Sequence, residues 1–233
     1  MLSLPTETYN YMIMKRIFNI VFAAMVLTLV PASYACAQTI DNLRPPKRTT
    51  TPPKKKPAKK KWDFQGAFYE GLAEVMDANG KYGFIDKTGK LVIPCQWEYA
   101  HSFREGLARV KDTNDKWGFI DKTGNVVIPC QWKDAYSFNE GMCAVQDANN
   151  KWGFIDKTGK VVSPCQWKWA GPFSEGLAYV ADANNKYGFI DKTGKVVIPC
   201  QWNVVLSFSE GLARVWDAND KEYKIDKTGR IVE

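Results

Sequence analysis

In the second part of the chain, hydrophobic and polar residues follow one another in short runs that end at turn residues. The run GLARV at 106–110 is apolar at every second position, and the run WGFID at 117–121 follows it. A third apolar run, VVIP, occupies residues 126–129. Alternation over four to eight residues is typical of half-buried β-strands. The pattern therefore predicts at least three short strands in this segment.

Turn residues separate these runs. Between the first and second runs lies a D-x-N-x-K segment, and two-residue hairpin loops need the positive φ that Asn, Asp and Gly tolerate best. Between the second and third lies DKTG at 121–124, with the Asp and Gly positions of a type I turn. Pro129 lacks an N–H and is expected to end the third strand. The following CQW and Ala-x-x-Phe-x-Glu-Gly form a link with room for a short fourth strand. The predicted hairpin tips are Asn79-Gly80, Asn114-Asp115, Asn149-Asn150, Asn184-Asn185 and Asn219-Asp220.

The whole unit returns every 35 residues, and five copies fill residues 62–233. A unit of this size cannot bury both faces of a three-stranded meander, so neighbouring copies must stack and share a core. We therefore predict an all-β fold of five tandem antiparallel β-meander repeats in an open array. The alternative is a closed five-bladed β-propeller, because the array starts and stops part-way through a repeat. Glu222, Tyr223 and Lys224 replace the aromatic-Gly-Phe of earlier copies, which favours an open array with a polar end.

The motif KWGFIDKTG at 116–124 and the VVIP after it recur in register, and together they resemble the bacterial WG repeat. The resemblance covers Trp62 to the C-terminus. Departures are Tyr82 and Tyr187 in place of Trp, Ser163 in place of an aliphatic residue, and the altered fifth copy. The resemblance implies a tandem β-rich repeat in bacterial proteins, often exported, with no established general activity.

Residues 1–61 differ from the repeats. Lys15 and Arg16 precede the apolar run IFNIVFAAMVLTLV and a small-residue stretch that ends at Ala37. This order predicts that residues 1–37 are an N-terminal extension and signal peptide, with translation starting at Met14 as an alternative. The run is short for a membrane span, so we expect none in the mature chain. The mature protein is expected to be periplasmic, outer-membrane-associated or extracellular, and lipidation at Cys36 is the less favoured route.

Residues 38–61 form a Pro/Lys-rich segment. Between Thr39 and Lys61 lie nine Lys or Arg residues, one Asp and no aromatic residue. Such a composition predicts a disordered linker, since it cannot bury enough apolar surface to offset the entropy of ordering. Its charge could contact an anionic surface. The formal charge of +7 resides here, because the repeats are close to neutral. Nucleic acid is not an expected partner of an exported chain.

The sequence gives little support for chemistry. It has no CxxC motif and a single histidine, His101, so neither a metal site nor a catalytic triad is indicated. The D-x-N-x segments lack the later oxygen ligands of a calcium loop, since Lys116 and Thr123 stand there. Carboxylates that recur in every copy suggest scaffolding. We expect no enzyme activity and no cofactor, and we expect buried free thiols at the repeat cysteines, which are Cys95, Cys130, Cys143, Cys165 and Cys200.

Differences between copies offer the best indication of a binding site. They lie in the link and at two first-strand positions, exemplified by Arg109 and Lys111, which share one sheet face opposite the repeated Ala and Val. We hypothesise that this face binds a protein or, alternatively, an envelope glycan, because aromatic residues and Arg are enriched at interfaces. The other interpretation is a solvent-facing surface under no constraint. The candidate binding residues are Arg109, Tyr136, Trp169, Tyr179, Arg214 and Trp216.

Overall fold

The computed structural model describes residues 62–232, so the predicted signal peptide, the linker and Cys36 lie outside the described residues. The described residues form 19 strands and no helix. The strands form five antiparallel sheets, and each sheet comes from one continuous stretch of chain. Consecutive strands are hydrogen-bonded neighbours, so every sheet is a meander. This confirms the predicted all-β repeat fold.

The first sheet contains β1 (Phe64–Gln65), β2 (Leu72–Met76), β3 (Tyr82–Asp86) and β4 (Leu91–Trp97). The second contains β5 (Tyr99–Ala100), β6 (Ala108–Lys111), β7 (Trp117–Ile120) and β8 (Val126–Trp132). The third contains β9 (Asp134–Ala135), β10 (Met142–Gln146), β11 (Trp152–Asp156) and β12 (Val161–Trp167). The fourth contains β13 (Trp169–Ser174), β14 (Leu177–Ala181), β15 (Tyr187–Asp191) and β16 (Val196–Trp202). The fifth contains β17 (Val204–Val205), β18 (Leu212–Trp216) and β19 (Glu222–Asp226).

The D-x-N-x turns differ from the prediction. At the tip between β6 and β7 only Asp115 has a positive φ, of 61°. The Asp115 N–H donates to the Asp112 carbonyl at 3.1 Å, and the Asp112 N–H donates to the Lys116 carbonyl at 2.9 Å. The prediction of positive φ at both tip residues is therefore wrong. The Asp112 side chain explains the choice of turn, because its Oδ1 accepts the N–H of Asn114 and of Lys116, both at 2.9 Å.

The DKTG turn is confirmed, whereas a third turn was missed. The Gly124 N–H donates to the Asp121 carbonyl at 3.0 Å, and Gly124 has a φ of 89°. A two-residue loop with positive φ at both positions does occur, at Glu105 (51°) and Gly106 (87°), within the segment assigned to the link. Glutamate rarely adopts this conformation. The positive φ recurs at the Glu of every Glu-Gly pair, which indicates that the Glu side chain has a structural role.

Proline does not end the third strand. Strand β8 continues past Pro129 to Trp132, with Trp117 opposite Trp132 and Phe119 opposite Ile128. Two extra residues therefore bulge from β8 opposite Gly118. A Cβ at Gly118 would lie 2.6 Å from the Ile128 carbonyl oxygen and 2.7 Å from the Cys130 nitrogen. The Gly of the repeat motif is thus required because the bulged strand passes directly over it.

Each sheet has two apolar faces, which differ in residue size. The front face, with Ala108, Val110 and Ile120 in copy 2, packs against the preceding sheet. The back face, with Leu107 and Phe119 in copy 2, packs against the following sheet. The stacked sheets therefore share cores, as predicted from the size of the unit.

A phenylalanine pair links each sheet to the next. Phe103 of the second link lies 4.9 Å from Phe84 of the first back face, measured between ring centroids, and both rings are buried. Burying one such ring contributes about 1.5–3 kcal/mol to stability. The array is therefore stabilised mainly between its copies. Equivalent pairs are Phe119–Phe138, Phe154–Phe173 and Phe189–Phe208.

The two ends of the array favour an open arrangement. Phe68, the first-copy equivalent of Phe103, has no preceding sheet and is 38% exposed. A closed ring would place the fifth sheet against it, but that sheet carries Lys224 where the other copies have the partner Phe. Within residues 62–232, no N-terminal strand completes the three-stranded fifth sheet. These observations agree with the predicted open array and not with the five-bladed ring.

The repeated glutamates connect successive copies. The Glu105 Oε2 accepts the Gly141 N–H at 2.9 Å and lies 3.1 Å from the Lys157 Nζ. Gly141 and Lys157 belong to two turns of the third copy, so the Glu105 carboxylate of the second copy connects both turns to its own copy. The same contacts join Glu70 to Gly106 and Lys122, Glu140 to Gly176 and Lys192, and Glu175 to Gly211 and Lys227.

Candidate binding surface

The variable first-strand residues lie on the back face, opposite the repeated Ala and Val, as their spacing predicted. In copies 1 to 4 the next sheet covers this face: Ala144 is 2% exposed, while Arg109 and Tyr179 are partly buried. Both interpretations of the sequence assumed that this face is exposed. Among the five copies, only the fifth has an exposed back face. The reason is that stacking uses both faces of every internal sheet.

Cross-strand pairs explain much of the variability. In copy 3, Tyr136 of the link lies opposite the variable first-strand residue Ala144. In copy 4, Gly171 lies opposite Tyr179 in the same way. A Cβ at Gly171 would lie 2.1 Å from the Tyr179 ring. In these two copies a large side chain faces a small one within one shared space, which is a packing constraint. The other pairs are Gly66 with Glu74, His101 with Arg109, and Leu206 with Arg214.

Arg109 lies in the seam between the second and third sheets. Its Nη1 donates to the Ala135 carbonyl, its Nη2 lies 2.5 Å from the His101 Nε2, and its guanidinium stacks 4.7 Å from the Trp117 ring. Burial, followed by the charge of Arg109, lowers the pKa of His101 to about 4. His101 is therefore neutral at pH 7, and its Nε2 accepts from Arg109. The Arg109 Nε is buried and has no hydrogen-bond partner.

A cleft of about 390 Å³ opens beside Arg109. A smaller cavity of about 220 Å³ adjoins it and shares Arg104 and Ser137. The cleft thus combines two guanidinium groups with neutral polar groups and an apolar wall. The cleft is lined by Arg104, Arg109, Tyr136, Ser137, Phe138, Asn139 and Pro172.

The other candidate residues separate into two groups. Tyr136 packs 4.9 Å from Trp152, which lies 5.9 Å from Trp169, and burial raises the pKa of Tyr136 to about 12. Tyr179 is partly buried, and burial raises its pKa. Tyr136 and Trp169 belong to the seam between the third and fourth sheets, whereas Tyr179 lies in the seam between the fourth and fifth. The structure thus brings Arg109 and Tyr136 together in one cleft and places Trp169 near Tyr136.

Arg214 and Trp216 lie apart from the cleft, on the back face of the last sheet. Arg214 forms a two-bond ion pair with Glu222, at 2.6 Å and 3.0 Å, and its guanidinium lies 5.1 Å from the Trp216 ring. Arg214 is exposed, because none of the five described sheets covers the back face of the fifth. The six candidate residues therefore do not form one continuous site.

Sequence reasoning missed an exposed aromatic column. Phe64, Tyr99 and Trp169 occupy the same repeat position in the link strands and are 41%, 42% and 44% exposed. Tyr99 packs 4.8 Å from Tyr82 of the preceding copy, which fixes its ring. The 35-residue alignment contains the signal, because this position holds an aromatic residue in three of five copies. We define Phe64, Tyr99 and Trp169 as the aromatic column.

The five repeat cysteines are free thiols, of which Cys143 is buried. Burial, followed by the charge of Asp112, raises the pKa of Cys130 to about 11. Burial likewise raises the pKa of Cys165 to about 11. The thiols are therefore protonated at neutral pH and weakly nucleophilic. Residues 62–232 contain no cluster of three potential metal ligands and no helix that could cross a membrane.

The sequence model described as WG containing repeat matches residues 82–117, 117–152, 152–187 and 187–215, more than half of the chain. The chain belongs to the WG-repeat family. A search of curated proteins finds no match. Membership shows a tandem-repeat scaffold.

Solved structures give distant similarities to this WG-repeat chain. The computationally designed protein Ika8 has a TM-score of 0.46 and 11% identity over 72% of this chain and 60% of its own. BamB from Moraxella catarrhalis has a TM-score of 0.40 and 9% identity over 71% and 61%. The designed protein Ika4 has a TM-score of 0.38 and 9% identity over 53% and 87%. The chain thus spans about three fifths of the length of Ika8 and BamB.

Proposed function

We propose that this WG-repeat protein is an exported, non-enzymatic scaffold that binds a partner protein along its link strands. The aromatic column carries the proposal. Exposed aromatic rings are enriched in the energetic centres of protein interfaces. Here the same 35-residue spacing that builds the array also places three of them in one column of link strands. A partner could therefore contact several copies at once.

The absence of a catalytic role is proposed from how the polar groups are used. Four of the five repeated glutamates bond to the next copy, and the repeated aspartates hold their own turns, as the Asp121 Oδ1 does with the Thr123 N–H at 2.9 Å. The only histidine is neutral and engaged by Arg109. Export is proposed from the basic and apolar pattern of residues 15–37.

The proposal is tested by capture of proteins from a bacterial envelope extract with the full chain. Replacing Tyr99→Ser and Trp169→Ser together should reduce the captured partner at least about tenfold, because removing a central aromatic contact typically costs 2 kcal/mol or more. The matched control is Val126→Ser with Val196→Ser, which removes exposed apolar residues from the opposite edge strands of the same two sheets. Equal loss in both double variants would contradict the assignment of the surface.

The glycan alternative is examined with the same variants. Sedimentation with purified peptidoglycan should be equal for the wild type and both double variants if the partner is a protein. Selective loss of peptidoglycan binding in the Tyr99→Ser, Trp169→Ser variant would instead assign the aromatic column to a glycan.

A further inference from the structure

The cleft between the second and third copies contains two arginines without a carboxylate partner. Among the ion pairs of residues 62–232, none involves Arg104 or Arg109. Asp134 is the acidic residue whose charge acts most strongly on Arg109, yet it forms no ion pair with it. Arg109 donates from Nη1 to the Ala135 carbonyl and from Nη2 to His101, so each Nη retains one further N–H, and the positive charge has no ion-pair partner. This imbalance indicates that a negative group from outside completes the site.

The pair of arginines occurs in one copy only. At the Arg109 position the other copies have Glu74, Ala144, Tyr179 and Arg214, and at the Arg104 position they have Tyr69, Asn139, Ser174 and Ser209. Arg214 is the only other arginine at either position, and Glu222 neutralises it. Packing of the repeat therefore does not require the two arginines of copy 2. A feature that is confined to one seam is better explained by a ligand than by the scaffold.

The carboxylates near the cleft are already used. Glu74 accepts the Ser102 hydroxyl at 3.0 Å and 3.1 Å, at the smaller cavity and in the seam of the first copy. Glu105 bonds to Gly141 and Lys157. Asp134 accepts the Ala135 N–H at 2.8 Å. None of these groups forms an ion pair with the arginines of the main cleft, so its polar end retains positive charge.

The rest of the lining indicates the kind of ligand. Tyr136, Ser137 and Asn139 provide neutral hydrogen-bonding groups, and Phe138 and Pro172 form an apolar wall. Guanidinium groups bind planar carboxylates through two parallel hydrogen bonds. An acidic side chain followed by an apolar one fits this combination, whereas a hydrophilic sugar chain would leave the apolar wall unused.

We propose that this cleft binds an acidic peptide segment of a partner protein, with an Asp or Glu carboxylate held by Arg104 and Arg109. The inference rests on the proposed partner-binding function and specifies its chemistry. Tyr136 and Phe138 contact the apolar neighbour of that acidic residue. The hydroxyl of Ser137 lies at the junction of the two cavities and donates to the same carboxylate.

The test measures binding of a fluorescent hexaglutamate peptide to the full chain by anisotropy, with a hexaglutamine peptide as the uncharged control. Arg104→Gln removes an exposed guanidinium, and Ser137→Asp places a carboxylate inside the cleft. Each should weaken hexaglutamate binding at least about tenfold, as expected for loss of a charge-assisted hydrogen bond. The matched control Arg214→Gln, which removes an exposed guanidinium outside the cleft, should bind as the wild type does. Ser137→Asn, which adds no charge, should weaken binding less than Ser137→Asp.

All variants retain the basic linker, so binding by the linker cannot produce a difference between them. Equal hexaglutamate binding by all variants, or no binding at all, overturns the inference. It is also overturned if oligogalacturonate binds more tightly than hexaglutamate with the same dependence on Ser137→Asp, since the cleft would then be a site for an acidic glycan. Circular dichroism and urea unfolding verify that each variant is folded.

The peptide experiment contains no natural partner and leaves the aromatic column unchanged. Loss of capture in the Tyr99→Ser, Trp169→Ser variant together with unaltered peptide binding would retain the proposed function and reject the cleft. Peptide binding that follows the predicted variants, with no effect of the aromatic column on capture, would retain the cleft and reject that column as the docking surface.

Discussion

Arg109 and Arg214 occupy the same position in the second and fifth copies, yet their surroundings differ. Arg109 stacks on Trp117 beneath the next sheet, whereas Arg214 is exposed and paired with Glu222, the residue that replaces Trp117. The covered back face of copy 2 has Trp117 beneath Arg109, whereas the uncovered back face of copy 5 has Glu222 at that position. The role of a residue in this repeat therefore depends on whether another copy stacks against its own.

Substitution at the glycine position is expected to show the largest difference in stability between the second and fifth copies. In copy 2 the bulged strand lies over Gly118, whereas the fifth copy has Tyr223 there and the chain ends before an equivalent strand is complete. Gly118→Ala should lower the free energy of unfolding by about 3–4 kcal/mol, because the added Cβ meets backbone atoms. Tyr223→Ala should cost about 1–2 kcal/mol through lost packing and the lost hydrogen bond from its hydroxyl to the Asp217 Oδ2, at 3.1 Å. Urea unfolding measures both, and equal losses would contradict this explanation of the glycine.

The repeated glutamate should show the second largest difference. Glu105 bonds to the third copy, whereas the Glu210 side chain forms no equivalent contact within residues 62–232. Glu105→Gln should lower the free energy of unfolding by about 1–2 kcal/mol, and Glu210→Gln by less than about 0.5 kcal/mol. Similar values from urea unfolding would mean that the contacts between turns contribute little to stability.

The same pair of variants predicts a pH dependence. Burial would raise the pKa of Glu105, but the bonds from Lys157 and Gly141 outweigh it and lower the pKa below its ordinary value of 4.5. The unfolded chain then binds the proton more readily, so this stabilisation is complete above about pH 4.5 and is lost as the pH falls. The difference in stability between wild type and Glu105→Gln should therefore shrink on acidification. A difference that is independent of pH would contradict the assigned ionisation.

His101 predicts a second pH dependence, at higher pH. Its pKa of about 4 in the folded chain lies below its ordinary value of 6.5, so the unfolded chain gains a proton first. Stability should fall as the pH decreases from 6.5 to 4. His101→Leu introduces the residue of the fifth copy, Leu206, and should flatten this part of the profile. Thermal unfolding across the range measures the change, and an unaltered slope would show that His101 is not the titrating group.

The smallest effect is expected for the ion pair of the fifth copy. Glu222→Gln should change the free energy of unfolding by less than about 0.5 kcal/mol, because both side chains are largely exposed to water. Urea unfolding at low and high salt measures this value. A loss above 1 kcal/mol would indicate that the end of the array depends on this pair.

Short-range sequence patterns predicted the strands, the DKTG turn and the need for stacking. They did not predict the course of the chain through Pro129, since a bulge can keep a proline within a strand when its missing N–H is not needed. The Glu-Gly turn was missed because its cause also lies outside the local sequence. The preference of Glu105 for its unusual φ depends on Gly141 and Lys157, which belong to another copy.

The sequence by itself determined the local structure, because the hydrophobic period, the turn residues and the 35-residue repeat are all contained in one unit. The sequence also contains the complementary sizes of Tyr136 and Ala144 and of Gly171 and Tyr179, which are evident once the copies are aligned. Only the tertiary structure decided which face of each sheet is covered. It placed Arg104 and Arg109 in one cleft, because the lining of that cleft comes from the second, third and fourth copies together.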